Sequence, residues 1–187
     1  MRRPEPIARK KPGKIVPLHT RQWIGTYAGK GNGDYREELP SALHAITTYL
    51  KQFTFSSEMA LVRLDGQYGD AAVVTQILLA NVHVVTRGRG SQLLEHPQIQ
   101  QVLAHPPTAC VSRVSTAEVI ELFDGGWLPL GEGLPRIRVI VTRHPAPSAG
   151  TSVAVGKRIN EWVYELFLTD LDADGFLVED VLDLSHG

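Results

Sequence analysis

Asp65 stands out among the titratable residues because of the segment that precedes it. Residues 59–64, MALVRL, are apolar except for Arg63, which predicts a buried strand of a mixed or parallel sheet. Gly66 follows and can turn without a steric penalty, and Asp70 is placed to cap a helix over 71–79. A carboxylate at the carboxyl end of an interior strand is a common position for metal or ligand chemistry. Asp–Gly pairs are also common in ordinary turns, so both interpretations stay open.

Basic residues form a second group that could take part in binding. Residues 1–14 hold six basic side chains against Glu5 alone, whereas residues 161–187 hold eight acidic residues and no Lys or Arg. A basic arm on an acidic body is typical of a nucleic-acid contact, although a solvated terminus can have the same composition. The glycine-rich loop 87–90 adds two arginines that could touch phosphates or lie in a solvated turn. The candidate nucleic-acid-binding residues are therefore Arg2, Arg3, Arg9, Lys10, Lys11, Lys14, Arg87 and Arg89.

A third pattern is acidic. Asp170, Asp172 and Asp174 alternate before Gly175 as in the first half of an EF-hand calcium loop, but Val181 stands where the bidentate Glu belongs. The segment before it has the composition of a strand, whereas an EF-hand requires a helix. The seven histidines lie far apart and form no metal-ligand pair. Calcium binding is therefore the weakest alternative.

Composition sets the broad class of the protein. At 187 residues and 43% hydrophobic content, the chain can form one good-sized domain or two small ones. The single cysteine, Cys110, excludes an internal disulfide and fits a reducing compartment. No apolar run approaches the roughly 18 residues that a membrane span needs. We expect a soluble cytoplasmic protein with no membrane partner.

Hydrophobic periodicity predicts the elements that would position Asp65. An apolar stripe predicts a helix that ends near residue 53, followed by the strand 59–64, the helix 71–79 and a strand over 82–86. This alternation indicates an α/β sheet. A short helix is predicted over 93–104, and antiparallel strands are predicted near 109–114, 119–123, 137–142 and 153–155. A last strand over 162–169 could rejoin the main sheet, before a helix over 176–184 that Asp174 would cap.

Three stretches together resemble one protein family. They are HTRQWIGTYAGKGNGDYREEL (19–39), VRLDGQYGD (62–70) and YELFLTDLDADGFLVEDVLDL (164–184). In this order they resemble the DDE transposases of bacterial insertion sequences, of the insertion-sequence-four type. The resemblance implies an α/β fold, a partial RNase H-like (retroviral-integrase-type) mixed sheet with flanking helices and a β-rich insertion. The chain would divide into a basic flexible arm (1–14), a core part (15–105), the insertion (106–160), and the return strand with the start of the C-terminal core helix (161–187).

The resemblance also implies a function. Such enzymes hold two Mg²⁺ or Mn²⁺ ions with two aspartates and a glutamate, and they cut and join DNA at transposon ends. Asp65 matches the second aspartate, which makes it the candidate catalytic and metal-binding residue. The strand that bears the first aspartate and the helix that bears the glutamate have no counterpart in this sequence. We therefore expect a fragment that is inactive alone, does not hold metal stably, and self-associates through exposed core surface. The alternative is a non-catalytic DNA-binding or interaction remnant.

Overall fold

The computed structural model describes residues 38–113, 118–148 and 155–186. The predicted basic arm, with Arg2, Arg3, Arg9, Lys10, Lys11 and Lys14, lies outside the described residues, as does most of the predicted strand 153–155. Within the described ranges the chain forms four α-helices and seven strands. In chain order they are α1 (Leu39–Gln52), β1 (Leu61–Leu64), α2 (Ala71–Leu79), β2 (His83–Arg87), α3 (Pro97–Leu103), β3 (Ala109–Ser112), β4 (Val119–Pro129), β5 (Arg136–Pro145), β6 (Lys157–Ile159), β7 (Trp162–Thr169) and α4 (Val178–His186).

One mixed sheet organises these elements, with the strand order β1–β2–β7–β5–β4–β3. Strands β1 and β2 are parallel and are joined through α2, whereas every other pairing is antiparallel. Strand β6 lies off this path and pairs with the first half of β7. The predicted α/β class, with a mixed sheet and flanking helices, is confirmed.

The helices cover both faces of the sheet. Helices α1, α2 and α3 pack on one face, where Leu43, Val74 and Ile99 are buried. Helix α4 packs on the other, through Val181 and Leu182. Strand β7 is buried along most of its length between these layers.

Several local predictions are confirmed. The helix after Asp70 runs over Ala71–Leu79, and the Asp70 carboxylate accepts a hydrogen bond of 3.0 Å from the Val73 amide. The predicted return strand is β7, which rejoins the sheet by pairing with β2. The antiparallel strands expected between 106 and 160 belong to this same sheet, because residues 138–145 of β5 pair with the whole of β7. The division of the chain into core and insertion remains a prediction.

Two predictions are wrong in their details. Among the described strands, β1 pairs only with β2, so it lies at the end of the described strand order instead of inside it, and it is only partly buried. Part of its apolar run forms a 3-10 turn, Ser57–Met59, and Met59 is 53% exposed. Asp174 does not cap the last helix, which begins at Val178 after a turn.

A buried arginine ties the second half of the fold together. Arg138 on β5 is only 2% exposed. Its guanidinium donates to both carboxylate oxygens of Asp124 on β4, with a shortest distance of 2.7 Å, and to the carbonyls of Leu171 and Phe176 at 3.3 and 2.7 Å. These two carbonyls belong to the connection from β7 to α4. One cation therefore joins two strands to the segment that places α4.

We expect Arg138→Ala to lower the free energy of unfolding by about 3 kcal/mol, because it leaves the Asp124 carboxylate and two inward-facing carbonyls without their donor. Urea denaturation followed by circular dichroism measures the change. Arg136→Ala is the matched control, since Arg136 lies on the same strand and donates a single exposed hydrogen bond to Trp127; it should cost about 1 kcal/mol or less. Equal effects of the two substitutions would contradict a special role for Arg138.

Candidate functional site

Asp65 lies directly after β1, with its side chain exposed. One of its carboxylate oxygens, Oδ1, accepts a 2.8 Å hydrogen bond from the Gln67 amide and so caps the 3-10 turn Gly66–Tyr68. Its main-chain carbonyl accepts a 3.0 Å hydrogen bond from the Thr86 hydroxyl on β2. Asp65 therefore makes the turn that its sequence context suggests, at the carboxyl end of a parallel strand pair.

The loop after β2 interlocks with the turn after Asp65. The Arg89 amide donates to the Gly69 carbonyl at 3.0 Å, and the Arg89 guanidinium reaches the Gln67 carbonyl at 3.4 Å. Gly69 is buried so closely that an added Cβ would lie 1.8 Å from the carbonyl oxygen of Arg87. The structure thus brings Arg87 and Arg89, two of the predicted basic residues, beside the loop that carries Asp65.

A cleft of about 550 Å³ opens next to this loop, and we call it the basic cleft. It is bounded on one side by the loop after β2 and on the other by β6 and the middle of β7. Its charged and polar lining residues are Arg87, Arg89, Ser91, Lys157, Arg158, Tyr164 and Glu165. Four cationic side chains and one carboxylate thus line this cleft.

The carboxylate of the basic cleft belongs to Glu165, which is 8% exposed. Its Oε2 lies 3.0 Å from Nε of Arg87, an ion pair between adjacent strands. Neither atom has a hydrogen-bond partner within the described chain, because the N–H of Arg87 does not point at the oxygen. The guanidinium carbon of Arg87 also lies 5.8 Å from the centre of the Phe167 ring. Glu165 and Phe167 together hold the Arg87 side chain in place.

Sequence reasoning does not single out Lys157, Arg158 or Glu165. The one indication of these residues in the sequence is the short basic run before Asn160. Asn160 has a positive φ of 53° and lies in the tight turn between β6 and β7. Glu165 gave no signal, since one acid within an apolar strand usually faces solvent. Only the pairing of β2 and β6 with the same strand brings these residues beside Arg87.

The described residues do not fit the two-metal site that the family resemblance implies. No group of three or more His, Cys, Asp or Glu side chains that could hold a metal ion occurs within residues 38–113, 118–148 and 155–186. Asp65 stands as a single carboxylate, which cannot complete an octahedral oxygen shell by itself.

The acidic segment after β7 does not have the geometry of a calcium loop either. Asp170 already uses Oδ2 for a 2.8 Å contact with the His83 ring and Oδ1 for a 2.8 Å hydrogen bond from the Val84 amide. The element before it is a strand, as expected, whereas an EF-hand loop lies between two helices. Asp170 fastens the end of β7 to β2.

A comparison with protein-family models finds none that matches this chain, and a comparison with curated proteins finds no match either. Among the described helices, none has both the length and the apolar character needed to cross a membrane.

We expect Gly69→Ala to lower the free energy of unfolding by about 2 kcal/mol, because the new methyl group must push the Arg87 carbonyl aside. Chemical denaturation measures the loss, and amide NMR shifts of residues 87–89 report the displaced loop. Gly175→Ala is the control, since the nearest atom to its added Cβ is 3.9 Å away. It should change stability by no more than about 0.5 kcal/mol. Unchanged shifts at residues 87–89 in the Gly69 variant would show that the two loops are not coupled.

Proposed function

We propose that this chain is part of a DDE-type transposase: a DNA-binding α/β protein with an RNase H-like core. In this proposal Asp65 is one of the metal-binding carboxylates, and Arg87 and Arg89 contact the DNA backbone. The protein acts on DNA in the bacterial cytoplasm. The exposed apolar side chains of Met59 and Leu79 support the expected self-association.

One observation carries the proposal. Asp65 and Arg87 lie at the carboxyl ends of two neighbouring parallel strands that are connected through α2, so they lie at the same end of the strand pair. Ligands of open α/β sheets bind outside the carboxyl ends of the strands. A carboxylate suits a hard divalent cation, and a guanidinium suits phosphate oxygens. The two together match the needs of an enzyme that acts on a phosphodiester.

Catalysis requires more than the described residues supply. Among the described residues, Asp65 is the one candidate metal ligand at the carboxyl ends of β1 and β2, so we expect that the chain alone does not cut DNA. Mg²⁺ or Mn²⁺ is the cofactor that the family resemblance implies. The lone carboxylate also favours a second candidate function, a non-catalytic protein that binds DNA through the same basic residues.

The binding component of both functions is tested by fluorescence anisotropy with labelled duplex DNA at several salt concentrations. We expect affinity to fall steeply with salt, because each neutralised phosphate contributes a slope of about −0.9 in log K against log salt. Arg89→Gln should weaken binding several-fold and reduce the slope by about one, because it removes one phosphate contact.

Two further variants test whether the effect of Arg89→Gln on DNA binding depends on the charge and on its position. Arg89→Lys keeps the charge and should retain most of the salt dependence. Lys51→Gln removes an exposed charge from the last turn of α1, which does not line the basic cleft, and should leave binding unchanged. Binding that does not respond to salt, or that responds equally to Lys51→Gln and Arg89→Gln, would contradict the assignment of Arg89 to the DNA backbone.

The catalytic component is tested with a supercoiled plasmid in the presence of Mg²⁺ or Mn²⁺. We expect no nicking above background from the purified chain, because one carboxylate does not complete a two-metal site. Asp65→Asn removes the carboxylate charge with little change of shape and should leave DNA binding intact. Robust nicking that Asp65→Asn abolishes would show a complete active site and overturn the expectation of inactivity.

A further inference from the structure

We infer that the basic cleft binds a nucleotide through its phosphate, either as a free nucleotide or within a single strand. The inference rests on the proposed function, and it adds a ligand class and a second site to it. The cleft is distinct from the Asp65 carboxylate, although Arg87 and Arg89 adjoin both.

The cleft is a consequence of sheet topology. Strands β2 and β6 pair with the same edge of β7, β2 at Phe167–Thr169 and β6 at Trp162–Tyr164. Residues 165 and 166 lie between these two pairings, where the Gly88 amide makes a 2.8 Å hydrogen bond to the Leu166 carbonyl. Because neither β2 nor β6 extends across residues 165 and 166, a notch is left along this side of β7. Its volume of about 550 Å³ is within the roughly 300–1,000 Å³ of ligand sites.

The charges of the notch specify an anion. Lys157 and Arg158 are exposed on the β6 side, and Arg89 is exposed on the opposite side. The two sides come within reach of one another, since Nζ of Lys157 lies 3.4 Å from the Ser91 hydroxyl. Cations that converge in a concave site repel one another and attract an anion. A phosphate has several oxygens that can accept charge-assisted hydrogen bonds from different directions, which suits donors on two opposite walls.

Arg87 is prepared for this role by Glu165. The buried carboxylate faces the Nε side of the guanidinium, and the Phe167 ring lies beside it. No hydrogen bond from the terminal amino groups of Arg87 to another described residue occurs, so these groups can serve a phosphate. Fixing a side chain before the ligand arrives lowers the entropy cost of binding. Glu165 is thus a positioning residue for Arg87.

One further side chain of the cleft suits a nucleoside. Tyr164 lines it beside the charged residues and is only partly buried, whereas Leu94 and Leu166, which also line it, are 2% and 4% exposed. An aromatic ring is the kind of surface against which nucleobases pack in proteins that bind single strands. Inorganic phosphate would use only the charged half of the site, whereas a nucleotide would use both halves.

The test uses the full chain and four probes: deoxyadenosine monophosphate, deoxyadenosine, inorganic phosphate and a single-stranded oligonucleotide. Binding is followed by amide NMR shifts and isothermal titration. We expect the nucleotide to bind, with shifts at residues 87–91, 157–158 and 164–166. Deoxyadenosine should bind at least tenfold more weakly, because it lacks the charge-assisted contacts. Oligonucleotide binding at the same amides would identify a strand as the natural source, and its failure to bind there would identify a free nucleotide.

The double variant Lys157→Gln/Arg158→Gln should lower affinity for the nucleotide about tenfold or more, because it removes two exposed cations without touching the core. Lys51→Gln should have no effect. Glu165→Gln should also weaken nucleotide binding, and Glu165→Asp should restore part of it by keeping the carboxylate.

Two results would overturn the inference. Inorganic phosphate binding as tightly as the nucleotide would show an anion site with no nucleoside recognition. Nucleotide binding unchanged by the double variant would show that the cleft is not the site. If one of these two results were found while duplex DNA binding still depended on Arg89, the proposed function would stand without this second site. If the nucleotide bound in the cleft but duplex DNA did not bind, the proposed function would fail instead.

Discussion

The buried guanidinium of Arg138 is the constraint on which much of the fold depends. A charge that is 2% exposed is tolerated only where partners replace its water. Its main partner, Asp124, is presented by a β-bulge: Asp124 pairs with Ile140 and Trp127 with Arg138, so β4 holds one more residue than β5 between these pairs. The bulge requires glycine at position 126, which has a positive φ of 70°. The bulge, the ion pair and the start of α4 therefore form one unit.

Local patterns in the sequence were sufficient to predict the helices and strands, but they were insufficient to predict how these elements pair and pack. The cap at Asp70 and the bounds of β7 depend on neighbouring residues, and both were predicted correctly. The position of β1 in the sheet could not be predicted, because it depends on which strands pair with β2, a long-range property. The segment with the failed cap at Asp174 also has long-range contacts, since Arg138 donates hydrogen bonds to two carbonyls of the connection that precedes α4. The buried state of Arg138 itself has no signature in a strand of alternating arginines and apolar residues.

The candidate site likewise combines residues that local patterns suggest with residues that only long-range pairing brings together. Asp65, Arg87 and Arg89 are candidates that the sequence suggests, because each follows a predicted strand. Lys157, Arg158 and Glu165 are 66 or more residues further along the chain than Ser91, and they meet its loop only because β2 and β6 share one edge of β7. A net charge of −1 over the whole chain conceals this local concentration of cations. Global composition therefore says little about phosphate recognition, which depends on the field within a single concave site.

The turn and the ligand interpretations of Asp65 are compatible. Capping of the 3-10 turn uses one carboxylate oxygen, Oδ1, and the other makes no hydrogen bond to a described residue. A capped carboxylate is held in one orientation, which is an advantage for a metal ligand because less freedom is lost on binding. The local geometry of Asp65 thus suits both a structural aspartate and a metal ligand. The neighbouring groups differ in what they favour: further carboxylates at the carboxyl ends of these strands would favour a metal site, whereas arginines favour contact with a phosphate. Among the described residues, the arginines are the ones present.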